Sequence, residues 1–189
     1  MLNFPIHQLT RFILVHPHYP ENVGAAARAM KTMGFAHLFL VKPGKMAVPE
    51  HVMARKMAVK STDVLESCVI TRTLDEALVD VDVPFATTSR SGVSYVESPL
   101  AASRDMLRFA AAGKRIAVVF GNEKSGLDTR QLERCSRFIR IAMAAEQPSI
   151  NLAQTVQIVA YQLLATALAS TDPDGFSNPG LPVTQPNSG

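Results

Sequence analysis

Two short apolar runs, Ile116 to Phe120 and Phe138 to Ile141, each pass straight into a loop of small and polar residues, and the second loop opens a long apolar helix. That arrangement constrains the chain more than any other stretch. Short runs rich in β-branched and aromatic residues read as buried strands. In an α/β sheet, ligands bind at the carboxyl ends of strands, so chemistry is expected in the loops that follow these two. Two such loops so close in sequence face one pocket.

The rest of the chain repeats the strand-then-helix pattern. Strands are predicted at Arg11–Val15, Leu38–Val41, Ser67–Thr71 and Val83–Ala86. A helix opens at Asn22 as N-cap and closes at Gly34, with Val23, Ala27 and Met30 on its buried stripe. Gly24, Arg28 and Lys31 share another face, where the missing side chain of Gly24 lets something approach beside the Arg28 guanidinium. Pro49–Lys60 reads as a basic amphipathic helix, and Thr73 to Glu76 forms a capping box. Ser98 and Pro99 start a helix to Ala112, and Asp128 caps a short one. The last helix begins near Asn151, with Leu152, Val156, Val159, Ala160, Leu163, Leu164 and Leu168 as an apolar stripe wide enough for a core face and a partner surface. Strands alternating with helices imply one α/β domain over residues 1–170, a mostly parallel sheet with helices on both faces. From Thr171 the chain holds four prolines and three glycines, and residues 171–189 are expected to be a disordered tail.

Composition excludes several classes. A hydrophobic content of 47% with 19% charged residues describes a globular chain. No apolar run is expected to reach the ~18 residues that span a bilayer, and the N-terminus has no secretory pattern. Cys68 and Cys135 lie far apart with no paired spacing, so neither a disulfide framework nor a zinc site is indicated and a cytoplasmic location is expected. Residues 1–62 carry eight lysines or arginines against Glu21 and Glu50. A basic half of this kind fits either a polyanion-binding surface or a plain solvated face. Three tyrosines and no tryptophan argue against an extensive base-stacking platform.

Familiar nucleotide motifs are absent. The turn His16 to Gly24 lacks the G-x-G-x-x-G of a dinucleotide fold, and in Gly121 to Gly126 the lysine of a P-loop is replaced by Leu127. His16 and His18 have no carboxylate partner at ligand spacing, so no metal is expected. No nucleophile elbow is present, and Cys68 fits a small core residue.

Three segments together carry a resemblance: Asn22-Val-Gly-Ala-Ala-Ala-Arg28, Phe120-Gly-Asn-Glu-Lys-Ser-Gly-Leu127 and Ser149-Ile-Asn-Leu-Ala-Gln154. In this order they resemble the motifs of the TrmH-type SPOUT RNA methyltransferases, and most of all the branch that methylates cytidine or uridine 2′-hydroxyls in tRNA. The similarity runs from about Arg11 to Ser170. It implies a C-terminal deep trefoil knot, which no periodicity reveals. It implies S-adenosyl-L-methionine as cofactor, held by Thr88, Ser89 and Arg90, by the segment around Gly121, and by Ile141 through Ile150 including Met143, Pro148 and Ser149. Ile141, Met143, Ile150 and Leu152 suit the walls of an adenine slot.

The reaction implied is attack of a ribose 2′-hydroxyl on the activated methyl group, on the tRNA anticodon loop or on ribosomal RNA, and no metal is required. An idle RNA-binding protein is the rival from another class. The family gives the leading role to Arg28. Arginine is effectively always protonated, so Arg28 fits a fixed positive charge that holds phosphate and polarises the hydroxyl better than a general base. Asn22 orients Arg28 or the ribose, caps its helix, or does both. Glu123 organises its loop or reaches substrate, and Ser149 and Asn151 cap the last helix and line the site. A homodimer is implied, in which the arginine helix of one protomer completes the pocket of the other. Pro148 stands where related chains often have serine. Those relatives usually continue into a C-terminal helical extension that engages tRNA.

Overall fold

The central apolar runs become strands because each is flanked by a turn and covered on both sides, whereas Val69 and Ile70 of the edge run stay exposed. The computed structural model of the chain describes residues 4–144 and 150–171, so Pro148, Ser149 and the expected tail lie outside the described residues. In chain order the elements are α1 (Pro5–Leu9), β1 (Thr10–Val15), α2 (Pro20–Thr32), β2 (His37–Val41), α3 (Val52–Met57), α4 (Thr62–Glu66), β3 (Val69–Thr71) and α5 (Leu74–Ala77). They continue with β4 (Val83–Thr87), β5 (Val96–Glu97), α6 (Pro99–Ala111), β6 (Ile116–Phe120), α7 (Thr129–Glu133), β7 (Arg137–Ile139) and α8 (Leu152–Thr171). The strands make a sheet in the order β3-β2-β1-β6-β4-β7-β5, and each neighbouring pair is parallel.

Alternation along the central strands divides two cores. Phe12, Leu14, Val118 and Phe120 face the larger core under α2, α3, α6 and α8. Ile13, Val15, Ala117 and Val119 face a smaller one, closed by Leu74 and Ala77 of α5 and Leu132 of α7. All five residues of β6 are buried, as a central parallel strand requires. Phe12 lies 5.0 Å from Phe35 and 5.8 Å from Phe120 between ring centroids. Truncating one of these rings to alanine costs about 3–5 kcal/mol.

Several elements differ from expectation for identifiable reasons. Helix α2 begins at Pro20, whose fixed φ suits the first helical position, so Asn22 lies inside the first turn and Tyr19 takes the N-cap position. Its end is as expected. Gly34 adopts φ +90, and the N–H groups of Gly34 and Phe35 donate to Lys31 and Met30 carbonyls at 3.0 and 2.9 Å. The helix expected at Pro49–Lys60 is only α3. His51 Nδ1 accepts the Met53 N–H at 3.2 Å and starts it, and Lys60 turns into φ +57 beyond its end. The third strand begins at Val69 rather than Ser67, and β7 stops at Ile139 rather than Ile141. Elements α1 and β5 carry too few residues to show a period.

Helix α8 also corrects a sequence expectation. Its 20 residues hold a window of mean hydropathy 1.3, long and apolar enough by composition to cross a membrane. Here it is a core helix that packs against α2 and α6, burying Leu152, Val156, Val159, Ala160 and Leu163. Ser103 of α6 and Thr166 share a hydroxyl hydrogen bond of 2.7 Å across that contact. Tyr161 on the far flank is 50% exposed, and Ile158, Leu164 and Leu168 beside it are half-buried.

Candidate functional site

The chain leaves β1 toward one edge of the sheet and β6 toward the other, although the two strands are neighbours. Loops that diverge in this way open a crevice at the carboxyl ends of the strands. A cleft of about 250 Å³ lies there. Thr87 and Thr88 from β4, Phe120 and Gly121 from β6, Ile139 and Ile141 from β7, and Leu152 and Thr155 from α8 line it.

The loop from Gly121 to Leu127 is folded tightly on itself. A Cβ on Gly121 would meet the Gly126 carbonyl carbon at 2.2 Å and the Leu127 nitrogen at 2.3 Å. The glycine is therefore required by its own loop, not only by the approach of a ligand. Asn122 pins that loop: its Oδ1 accepts the N–H groups of Lys124 and Ser125 at 2.9 and 2.7 Å and the Ser125 hydroxyl at 3.1 Å. Asparagine bonding forward to the backbone is an ordinary turn signal, and it was present in the sequence.

Once that loop is fixed, Glu123 points across the crevice to the loop after β1. Its Oε2 accepts the His18 N–H at 2.9 Å, and its Oε1 accepts the Tyr19 N–H at 3.3 Å and the Asn22 side-chain amide at 2.7 Å. The Asn22 Oδ1 accepts the Asn151 Nδ2 at 2.9 Å. Asn151 Oδ1 in turn accepts the N–H groups of Ala153 and Gln154 at 2.9 and 3.3 Å and so caps α8. One residue from each of the three sequence segments thus enters a single hydrogen-bonded chain. Asn22 is buried behind the cleft and Glu123 lines it.

The third wall is the loop after β4. The Thr88 N–H donates to the Ile139 carbonyl at 2.9 Å, and the Arg90 N–H donates to Thr88 Oγ1 at 3.1 Å. The Arg90 guanidinium reaches Thr129 Oγ1 at 3.4 Å, while its carbonyl accepts from the Arg140 guanidinium. Thr88, Ser89, Arg90, Gly121, Glu123, Ile141, Met143, Ile150 and Leu152 all line this cleft. Met143 is left 39% exposed there, an apolar side chain that a bound molecule would cover. Thr155, one turn along α8 from Leu152, lines it too and was missed. Its spacing from Leu152 was the available signal.

Arg28 is not brought to this cleft. It is exposed on α2, and no described residue pairs with its guanidinium. The close approach expected at Gly24 is made by the backbone of α3, since a Cβ there would meet the Ala54 carbonyl oxygen at 2.0 Å. That face of α2 packs on α3 and α4, and Lys31 further along it pairs with Asp63 at 2.6 Å. Burial pushes both cysteine thiols up to about 12, so neither offers a thiolate near neutral pH. Among the described residues, no three histidines, cysteines or carboxylates converge on a metal-sized site.

Comparison with known proteins bears on the chain as a whole. The model of the SpoU rRNA Methylase family matches residues 10–161. The tRNA (cytidine/uridine-2′-O-)-methyltransferase TrmJ of Klebsiella pneumoniae subsp. pneumoniae is 36% identical over 168 residues, which cover 87% of this chain and 67% of that enzyme. The chain thus spans about two thirds of the length of the curated relatives it matches. Among solved structures, a methylase family protein from Neisseria gonorrhoeae superposes with a TM-score of 0.79 at 34% identity, covering 87% of this chain and 85% of that one. TrmJ from Z. mobilis ZM4 gives 0.74 at 31% identity, covering 82% and 69%.

Proposed function

The chain belongs to the SpoU rRNA methylase family, and on that premise we propose that it methylates a ribose 2′-hydroxyl of tRNA, at cytidine or uridine of the anticodon loop, using S-adenosyl-L-methionine. The observation that carries this reading is the Glu123–Asn22–Asn151 hydrogen-bonded chain behind an apolar-walled cleft. A scaffold without chemistry has no need to tie these three segments together at a strand-end crevice.

The residues present fit the cofactor. Ile141, Met143, Ile150 and Leu152 would wall the adenine, and the Thr88–Arg90 and Gly121–Leu127 loops would hold the polar parts. Pro148 and Ser149, outside the described residues, are assigned to the cofactor as well. The bound cofactor supplies a methyl group on a sulfonium, already activated for transfer. Alignment and polarisation of the hydroxyl are left to the protein. Glu123 and Asn22 hold the β1 and β6 loops together and so fix the width of the cleft. Asn151 sets where α8 begins and therefore where Leu152 stands.

Arg28 is the fixed cation that holds the neighbouring phosphate and lowers the cost of the developing alkoxide. Its exposed position outside its own chain's cleft supports supply from a second copy, so the active unit is a homodimer that uses the exposed flank of α8 around Tyr161. In the same reading residues 1–170 form the catalytic domain with the trefoil knot of TrmH-type enzymes, and residues 171–189 are a tail. A complementation test bears on the shared site. Mixing Arg28→Ala chains with chains defective at Gly121 should restore activity that neither parent has, and no restoration would refute a shared site.

The deciding experiment is transfer of labelled methyl from S-adenosyl-L-methionine to unmodified tRNA and ribosomal RNA, followed by nucleoside digestion. Label is expected in 2′-O-methylcytidine or 2′-O-methyluridine from tRNA. The family description favours a test on ribosomal RNA alongside, and label only there would keep the chemistry and move the substrate. No label in either, with no thermal protection by the cofactor, would overturn the reading, since a ligand bound only by the folded state must stabilise it.

A further inference from the structure

Arg90 walls two concavities. Besides the cleft, it borders a groove of about 420 Å³ formed by Ser91 and Val93 of the same loop, Thr129 and Glu133 at α7, and Phe138 of β7. Arg90 is common to the linings of both, and its guanidinium is tethered to Thr129 at 3.4 Å. Tyr95 stands at the end of this loop, 95% exposed, with φ +58. It directly precedes Val96, the sheet partner of Phe138. A tyrosine so exposed contributes almost nothing to the core, and its backbone sits in a region unfavourable for a side chain of its size.

We propose that this groove and Tyr95 bind the nucleotide of the RNA next to the one that is methylated. The inference rests on the reading of the cleft as a 2′-O-methyltransferase site. Its chemistry is that of a splayed nucleobase: an apolar floor at Phe138 and Val93, a carboxylate at Glu133 to accept from a base amino group, and hydroxyls at Ser91 and Thr129, with the exposed ring of Tyr95 two residues beyond Val93 on the same loop as the aromatic face. Position favours RNA over an unrelated ligand. An extended strand with one ribose at the cleft has its neighbouring nucleotide just beyond the cleft wall, and that wall is Arg90. The same guanidinium then serves the phosphate between the two nucleotides. Sequence preference beside the target would arise here rather than in the cleft.

The test uses the full chain and an unmodified anticodon stem-loop RNA with 2-aminopurine at each loop position in turn. In the wild type one position beside the target is expected to be quenched by stacking. Ser91→Trp, which fills the groove mouth from an exposed position, and Tyr95→Ala should each abolish that quench. Tyr95→Ala should raise the KM for RNA roughly 5- to 150-fold, the loss of one base–aromatic stack, and leave the affinity for S-adenosyl-L-methionine unchanged. Quenching that persists in both variants, an unchanged KM, or an equal loss of cofactor affinity would overturn the proposal. The quench needs no turnover. A wild type that quenches one position yet transfers no methyl would fail the function reading while upholding the groove, and transfer without a groove-dependent quench would do the reverse.

Discussion

Replacing Glu123 by alanine tests whether this side chain holds the fold of the site or acts on substrate. Three donors converge on its carboxylate, and they differ in what happens when it is gone. The Asn22 amide, 2.7 Å away, is buried, and leaving it without an acceptor costs about 1–3 kcal/mol. The His18 and Tyr19 N–H groups, at 2.9 and 3.3 Å, are exposed, so water takes over as acceptor and little is lost there. Removing a negative charge from the N-terminus of α2 adds about 0.3–1 kcal/mol. The sum is about 1.3–4 kcal/mol, or roughly 3–16 °C in Tm for a chain of this size. Urea unfolding read by circular dichroism measures it, with an unchanged slope showing that the compactness of the states has not moved. A double-mutant cycle with Asn22→Ala should return a coupling of about 0.5–3 kcal/mol, because both changes break the same bond. If Glu123→Ala stays within ~0.5 kcal/mol of the wild type, or the two substitutions add without coupling, Glu123 does not hold these loops together.

Gly24→Ala forces a Cβ toward the Ala54 carbonyl, which a helix-surface reading would regard as harmless; overpacking is expected to cost about 1–3 kcal/mol in thermal or urea unfolding. Arg28→Ala should leave stability within ~0.5 kcal/mol, because its guanidinium is exposed and has no described partner. It should slow methyl transfer by about 10²–10³, so retained transfer would remove Arg28 from the mechanism. Burial raises the Asp105 pKa, and hydrogen bonds from Arg137 and Arg108 outweigh it, so the carboxyl titrates below its ordinary 3.8. A depressed carboxyl stabilises the fold fully above its ordinary value and loses that contribution as pH falls through the lower folded value. The urea midpoint should therefore drop in acid below about pH 4, and Asp105→Asn should flatten that drop while lowering the midpoint at neutral pH.

Much of the sheet was legible because parallel strands buried on both faces must be apolar throughout, as Ile116–Phe120 is. The two-residue β5 was not, since Val96 and Glu97 are held only by pairing with a distant β7. Asn22 shows a second kind of miss. It has the chemistry of an N-cap, but Pro20 claims the helix start and frees the amide for Glu123. The cleft walls followed from strand ends and the three motif segments. The bonds joining those segments did not, because no spacing rule relates positions 101 or 129 residues apart. Gly24 was read as permitting a close approach, and the close neighbour is the backbone of α3 at Ala54.

Those long separations also bear on when the site comes into being. Contacts between residues far apart in sequence must first meet the entropy of closing the intervening loop, and they slow folding accordingly. Asn22 is synthesised early, yet neither of its partners exists until the chain has passed Glu123 and then Asn151. During synthesis, β1 to β3 can pair among themselves well before any cleft can form. Refolding of the whole chain should therefore recover its circular dichroism first and its capacity to bind cofactor last. The delay between the two measures how long the protein spends folded in outline without the ability to act.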